Sequence, residues 1–213
     1  MSKRIITLMM VAVMALTTLV GCGGKETGTV TTDGSTSMEK EEVSLYELSE
    51  EVSEVLADAA RMKDVSIEVS GTKGIMMGVR RLLYEIICNL CDNAIKYNTS
   101  GGHVNISVLE ADNEILLTVQ DDGIGIAKEY HEKVFERFYR VAKSHSKQSG
   151  GTGLGLSIVK HAVQYHDGKL MISSELGKGT SISVAFKKSG VAKSNEKSWV
   201  SNTFATFHFL NSI

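Results

Sequence analysis

The chain has 213 residues, with 23 Lys and Arg against 25 Asp and Glu. That length allows one domain of ordinary size plus extensions. The near-balanced charge offers no basic footprint for nucleic acid, which is not expected as a partner.

The amino terminus comes first. Lys3 and Arg4 precede an apolar run, Ile5 to Val20, broken only by threonines. The run is short against the about 20 residues of a membrane span. It ends in Leu19-Val20-Gly21-Cys22. Residues 1–22 therefore read as a lipoprotein-like signal with Cys22 lipidated, or as an uncleaved membrane anchor. Residues 23–42 hold Gly, Thr, Ser and charged residues, a composition expected of a flexible tether.

From residue 43 the pattern becomes that of a folded domain. Leu45, Leu48, Val52, Val55, Leu56 and Ala59 recur at helical spacing, predicting an amphipathic helix over 46–62. Val65, Ile67 and Val69 alternate as a strand, and Gly71 to Gly78 reads as a loop. A second helix is expected from Val79 to Tyr97. On it Glu85, Asn89 and Asn93 recur every four residues and Lys96 follows, which puts all four on one face. Ile86, Ile87, Leu90, Ala94 and Ile95 occupy the other faces. A regular polar stripe on an apolar helix needs partners, because buried amides and carboxylates are costly when unpaired. Asparagine carbonyls suit a hard cation such as Mg²⁺, and lysine suits phosphate. Cys88 and Cys91 form a C-x-x-C on this helix, but two thiols do not make a zinc site, so they read as packing residues.

Two alternating strands follow, around Val104–Val108 and Ile115–Val119, joined by a turn at 111–114. The second runs into Asp121-Asp122-Gly123-Ile124-Gly125, where glycines permit a tight bend and Asp121 can accept from an amine. Phe135 and Phe138 stand at helical spacing, and core packing alone accounts for them. Residues 141–149 form a polar loop. Gly150-Gly151-Thr152-Gly153-Leu154-Gly155-Leu156-Ser157 then leads into a helix reaching about His166. Free N–H groups and the dipole at such a helix start form an anion site. The lysine of a P-loop is not in place after the last glycine. Strands around Leu170–Ile172 and Ile182–Phe186 close the domain. Residues 188–213 are a tail to which no role is assigned.

Taken together, residues 43–187 resemble the ATP-binding catalytic domain of bacterial sensor histidine kinases, within the Bergerat or GHKL group shared with gyrase B and the Hsp90 chaperone. Five motifs occur in order. Glu85, Asn89, Asn93, Lys96 and Tyr97 match the N box. Asp121, Gly123 and Gly125 match the first glycine box, and Phe135 and Phe138 match the F box. Gly151, Gly153 and Gly155 match the second glycine box, and Gly177, Gly179 and Thr180 match a smaller G-x-G-T. The resemblance implies an α/β fold, a two-layer α+β sandwich with a mixed, largely antiparallel sheet and helices on one face.

The resemblance also implies ATP and Mg²⁺ as ligands. Asp121 would take the adenine amino group, Asn93 would hold Mg²⁺ with Asn89 nearby, and Lys96 would neutralise phosphate. Glu85 would polarise the attacking group, so Glu85, Asn89 and Lys96 are the catalytic candidates. Tyr97, Gly123, Gly125 and Phe135 would complete the nucleotide site. Gly151, Thr152, Gly153, Leu154, Gly155 and Leu156 would form its lid. The family often has Asn where this chain has Asp122, which adds negative charge near the nucleotide.

No histidine precedes His103, so the phospho-acceptor hairpin that such kinases carry ahead of this domain is not in this sequence. The acceptor, on a dimerisation hairpin, and a response regulator are expected in trans. A truncated kinase-like domain that binds nucleotide or a partner without phosphotransfer is the alternative. A lipoprotein-like signal also conflicts with an ATP-binding domain, which is expected on the cytoplasmic side of the membrane.

Overall fold

The computed structural model describes residues 38–141 and 152–188. The signal-like segment with Cys22, nearly all of the tether, the loop residues up to Gly151 and the tail from 189 lie outside the described residues.

Five strands make one sheet in the order β2-β4-β5-β7-β6. They are β2 (Ser66–Gly71), β4 (His103–Glu110), β5 (Glu114–Asp121), β6 (Lys169–Glu175) and β7 (Gly179–Lys187). Only β2 with β4 is parallel, and the other three pairs are antiparallel. The sheet is thus mixed and largely antiparallel, as expected. Val104, Ile106 and Val108 on β4, Ile115, Leu117 and Val119 on β5, and Ile182, Val184 and Phe186 on β7 point to one core. Their period of two is what a strand needs to present one face.

Three helices cover that face: α1 (Leu45–Met62), α2 (Arg80–Lys96) and α3 (Gly155–Tyr165). Helix α1 starts where Ser44 accepts from the Glu47 N–H through Oγ at 3.3 Å, an N-cap. Helix α2 buries Leu83, Ile86, Ile87, Leu90, Cys91, Ala94 and Ile95 in the shared core. A smaller cluster of Leu116, Met171 and Ala185 lies apart from it.

The reading of Gly71 to Gly78 as a loop is corrected. Ile75–Gly78 is strand β3, antiparallel to β1 (Glu41–Ser44), which itself begins inside the segment read as tether. Each strand is only four residues long, and the pair is held by partners distant in sequence. Local alternation over so few residues carries too little signal. The segment around Phe135 and Phe138 is also not a regular helix. It is a pair of 3₁₀ turns, Lys128–Tyr130 and Lys133–Phe135, after which Phe138 takes a left-handed φ of 64°.

Cys91 is fully buried, and burial, first of all, drives its thiol well above the ordinary range. Cys88 is half-buried and shifted upward for the same leading reason. Both are therefore packing thiols with little thiolate character. Cys91→Ser is expected to cost about 1–3 kcal/mol of stability by burying a hydroxyl among aliphatic side chains. Urea denaturation checks the cost, and nucleotide affinity should stay within about twofold because the thiol faces the core.

Candidate functional site

The polar stripe of α2 is half-buried along its length, from Glu85 through Asn89 and Asn93 to Lys96. Arg81 donates to Glu85 at 3.3 Å from one turn earlier. Asn89 turns its amide inward, with Nδ2 donating to the Glu85 carbonyl at 2.7 Å. Its Oδ1 then faces the start of α3. A Cβ added at Gly155 would lie 2.8 Å from Asn89 Oδ1 and 3.8 Å from Asn93 Nδ2. The last glycine of the run therefore lets α3 begin directly over the two asparagines. The N-cap residue Leu154 supplies no side-chain acceptor. Among the described residues no side chain is seen to cap the first N–H groups of α3. Thr152 is exposed, and Gly153, Leu154 and Leu156 are half-buried beside it.

At the carboxyl end of α2, Lys63 Nζ donates to the carbonyl of Lys96, and the Lys96 ammonium lies 5.5 Å from the exposed Tyr97 ring. The Tyr97 carbonyl accepts from the Ile124 N–H at 3.1 Å, which ties the first glycine box to this helix. The same turn is bolted to β6 and β7. Gly177 N–H donates to the Ile124 carbonyl at 2.9 Å, and Ile126 N–H to Ser174 Oγ at 2.7 Å. Gly125 has φ 67°, and a Cβ there would meet the Glu175 carbonyl oxygen at 2.0 Å. Its tight bend serves the chain's own backbone.

Asp121 stands at the end of β5 inside this frame. Its Oδ1 accepts from the N–H of Gly123 at 2.9 Å and of Thr180 at 3.2 Å. Among the described residues these are the only donors to the carboxylate, so Oδ2 is the oxygen available to a ligand. Burial pushes the Asp121 carboxyl up to about 6, against the lowering effect of the two N–H bonds. Asp122 lies beside it but is engaged elsewhere. Its Oδ1 accepts from the His103 N–H at 2.7 Å and its Oδ2 meets His103 Nδ1 at 3.0 Å. Partial burial opposes ionisation of Asp122, but the bonds from His103 and Asn98 outweigh it and hold the carboxyl low. The extra negative charge is thus turned to His103.

A ligand that donates to ionised Asp121 will be pH-sensitive. With the carboxyl near 6, affinity is expected to fall about tenfold between pH 7.5 and 5. Stability moves the other way. The folded-state value exceeds the unfolded one, so Asp121 favours the ligand-free fold at acid pH and loses that contribution as pH rises through about 6. Titration calorimetry at several pH values, with melting curves of the free protein, checks both signs.

Phe135 is buried in the core. Phe138 is 72% exposed, and its N–H donates to the Gly153 carbonyl at 2.9 Å, drawing the F-box segment to the second glycine box. Gly151 and Cys22 lie outside the described residues. Two parts of the site had no sequence signal. Ser174 links Thr180, the Gly179 carbonyl and Ile126, and Lys63 caps α2 from the end of α1. Both depend on contacts between elements far apart in the chain.

This combination of a layered α/β fold, an asparagine-bearing helix and two glycine turns defines a nucleotide-binding domain. The family model for histidine kinase-, DNA gyrase B- and HSP90-like ATPases matches residues 78–190, and the chain belongs to that family. It is 44% identical over 134 residues to the sensor histidine kinase RppB of Synechocystis, covering 63% of this chain and 29% of that protein. It is 48% identical over 100 residues to the sensor histidine kinase WalK of Bacillus subtilis, covering 46% of this chain and 16% of that one. The chain thus spans under a third of the length of either relative.

Among solved structures, a mycobacterial sensor histidine kinase, MprB, matches with TM-score 0.60 and 30% identity, covering 70% of this chain and 97% of that one. The catalytic domain of histidine kinase ThkA matches with TM-score 0.61 and 25% identity, covering 70% of this chain and 96% of that one. The domain is of the sensor-histidine-kinase catalytic type. Among the described residues no helix is long and apolar enough to cross a membrane.

Proposed function

We propose that this domain binds Mg²⁺-ATP and passes the γ-phosphoryl group to a histidine that lies outside this sequence, within a two-component system. The observation that carries the reading is the Asp121 carboxylate. One oxygen is held by two backbone N–H groups and the other is left for a donor, and a half-buried carboxylate so placed suits an exocyclic amine.

The residues fit a bound Mg²⁺. Asparagine carbonyls are hard oxygen donors, and Asn89 already commits its NH₂ to its own helix, leaving Oδ1 toward α3. Asn93, with Asn89 beside it, would hold the ion, which when bound would neutralise phosphate charge. Lys96 adds a positive charge on the same side of α2. The N–H groups at the start of α3, with Gly151, Thr152, Gly153, Leu154, Gly155 and Leu156, would receive the phosphates. Tyr97, Gly123 and Gly125 would border the base, with Phe135 packed behind.

In the transfer, a neutral imidazole nitrogen attacks the γ-phosphorus. The bond from that phosphorus to the β–γ bridging oxygen breaks, and ADP leaves with the electron pair. Glu85 accepts a hydrogen bond from the other imidazole N–H and takes its proton as positive charge develops. Positioning and electrostatics do most of this work.

Calorimetric titration of Mg-ATP into the purified chain tests the reading. One-site binding that is lost on adding EDTA is expected, followed by acid-labile labelling of a supplied histidine hairpin from γ-labelled ATP. Failure of a folded chain to bind Mg-ATP would overturn the whole reading. Binding without transfer would leave a nucleotide-binding module.

A further inference from the structure

Helix α2 begins without a side-chain cap of its own. Its N-cap is Val79. The Val79 N–H is buried and donates to His166 Nε2 at 3.0 Å, from just past the other end of α3. The second ring nitrogen, Nδ1, lies 2.8 Å from the Ala162 carbonyl oxygen. These two partners fix the chemistry of the ring. A nitrogen that receives an N–H must be bare, and one that faces a carbonyl must carry hydrogen. His166 is therefore neutral, with its proton on Nδ1.

The ring is 7% exposed and sits edge-on to Tyr165 and Phe186, with centroids at 5.3 and 6.1 Å. It is also closely fitted against the strand end. A Cβ at Gly78 would come within 3.1 Å of Nε2 and 2.7 Å of Leu83 Cδ1. Helices α2 and α3 are thus joined at two points. At one, Gly155 lies on Asn89 and Asn93, and at the other His166 grips the first turn of α2.

We infer that His166 is a positioning residue: its neutral ring sets the register of α3 on α2, and so the placement of Gly155 over Asn89 and Asn93. The inference rests on the nucleotide-binding reading of that site. Protonation at Nε2 would replace the acceptor with a donor facing another donor, and the grip would be lost. Two charged groups face the ring, Lys40 from the start of the β1 segment and Asp167 from the end of α3. Burial holds the imidazole below its ordinary value, and Lys40 adds to that effect, while the Ala162 carbonyl and Asp167 oppose it. The sign follows. The His166 contribution is complete above the ordinary histidine value and is lost as pH falls through the lower folded one.

The test uses the full chain and two variants. His166→Leu keeps bulk but leaves the Val79 N–H unpaired. His166→Gln puts an amide oxygen near the position of Nε2 and cannot titrate. At a temperature where melting curves show every protein fully folded, His166→Leu is expected to bind Mg-ATP about tenfold more weakly, the size of an ordinary coupling between two sites. His166→Gln is expected to restore affinity to within about threefold and to lose less affinity than the parent between pH 7.5 and 5. Asp121 titrates in both proteins, so the difference belongs to His166.

Unchanged affinity in a folded His166→Leu would overturn the inference, as would a ring found doubly protonated at pH 7 by nitrogen NMR. If the parent itself fails to bind Mg-ATP, the nucleotide reading falls instead. Amide exchange at Val79 then decides the grip: faster exchange in His166→Leu supports it, and no change overturns it.

Discussion

Asp121→Asn is expected to leave the domain folded and to weaken Mg-ATP binding by about 10–150-fold. Asparagine can keep a carbonyl oxygen where Asp121 Oδ1 accepts from Gly123 and Thr180. The turn that frames the site therefore survives. The other oxygen becomes an NH₂ group, which faces the adenine amine as donor against donor. A charge-assisted bond is lost as well. Stability should rise at pH 8, because the native carboxylate is ionised there in surroundings that push its pKa up to about 6. A gain in melting temperature with a loss of binding marks a residue kept for function. Asn93→Ala should give a loss of binding of similar size with little change in melting. Calorimetry beside thermal denaturation reads both effects. Wild-type affinity in both variants would show that the nucleotide lies elsewhere.

Gly179→Ala is expected to be one of the most damaging single methyls among the described residues. Gly179 has φ 93°, and a Cβ there would lie 1.9 Å from the Asp121 carbonyl oxygen and 2.7 Å from Asp122 Cα. Both obstacles are backbone, so neither can swing aside. Relief requires opening β7 from β5 where Thr180 pairs with Asp121. The expected cost is about 2–4 kcal/mol from positive-φ strain and overpacking together. ATP affinity should fall with it, because the Thr180 N–H that holds Asp121 moves away. Gly177→Ala is the control. Its φ is 77° but nothing lies within 4 Å of the added Cβ, so only the left-handed strain of about 1–2 kcal/mol remains. Urea denaturation of the pair separates crowding from strain, and equal losses would mean that the contact with Asp121 does not matter.

The nucleotide helix could be read from sequence because its signal is local. Glu85, Asn89, Asn93 and Lys96 recur at helical spacing within one continuous segment, and α2 carries them as expected. The alternating strands β4, β5 and β7 were legible for the same reason. The ribbon of β1 and β3 was not. Each strand is short, and each is fixed by pairing with the other across α1 and β2. The F-box aromatics misled in a different way. Their spacing suits a helix, but Phe138 leaves helical geometry to bond Gly153.

By itself the sequence determined which side chains face together within one helix or one strand. That follows from the fixed repeat of each element and needs no knowledge of neighbours. It also placed the turn of Gly123 and Gly125 just after β5. Only the tertiary structure decided how those pieces act. It left one oxygen of Asp121 open, turned Asp122 toward His103, set Gly155 on Asn89 and brought His166 to the first turn of α2. Each of these joins residues far apart in the chain. Such contacts are selected by burial and by the cost of unpaired polar groups, quantities that exist only once the whole core has closed.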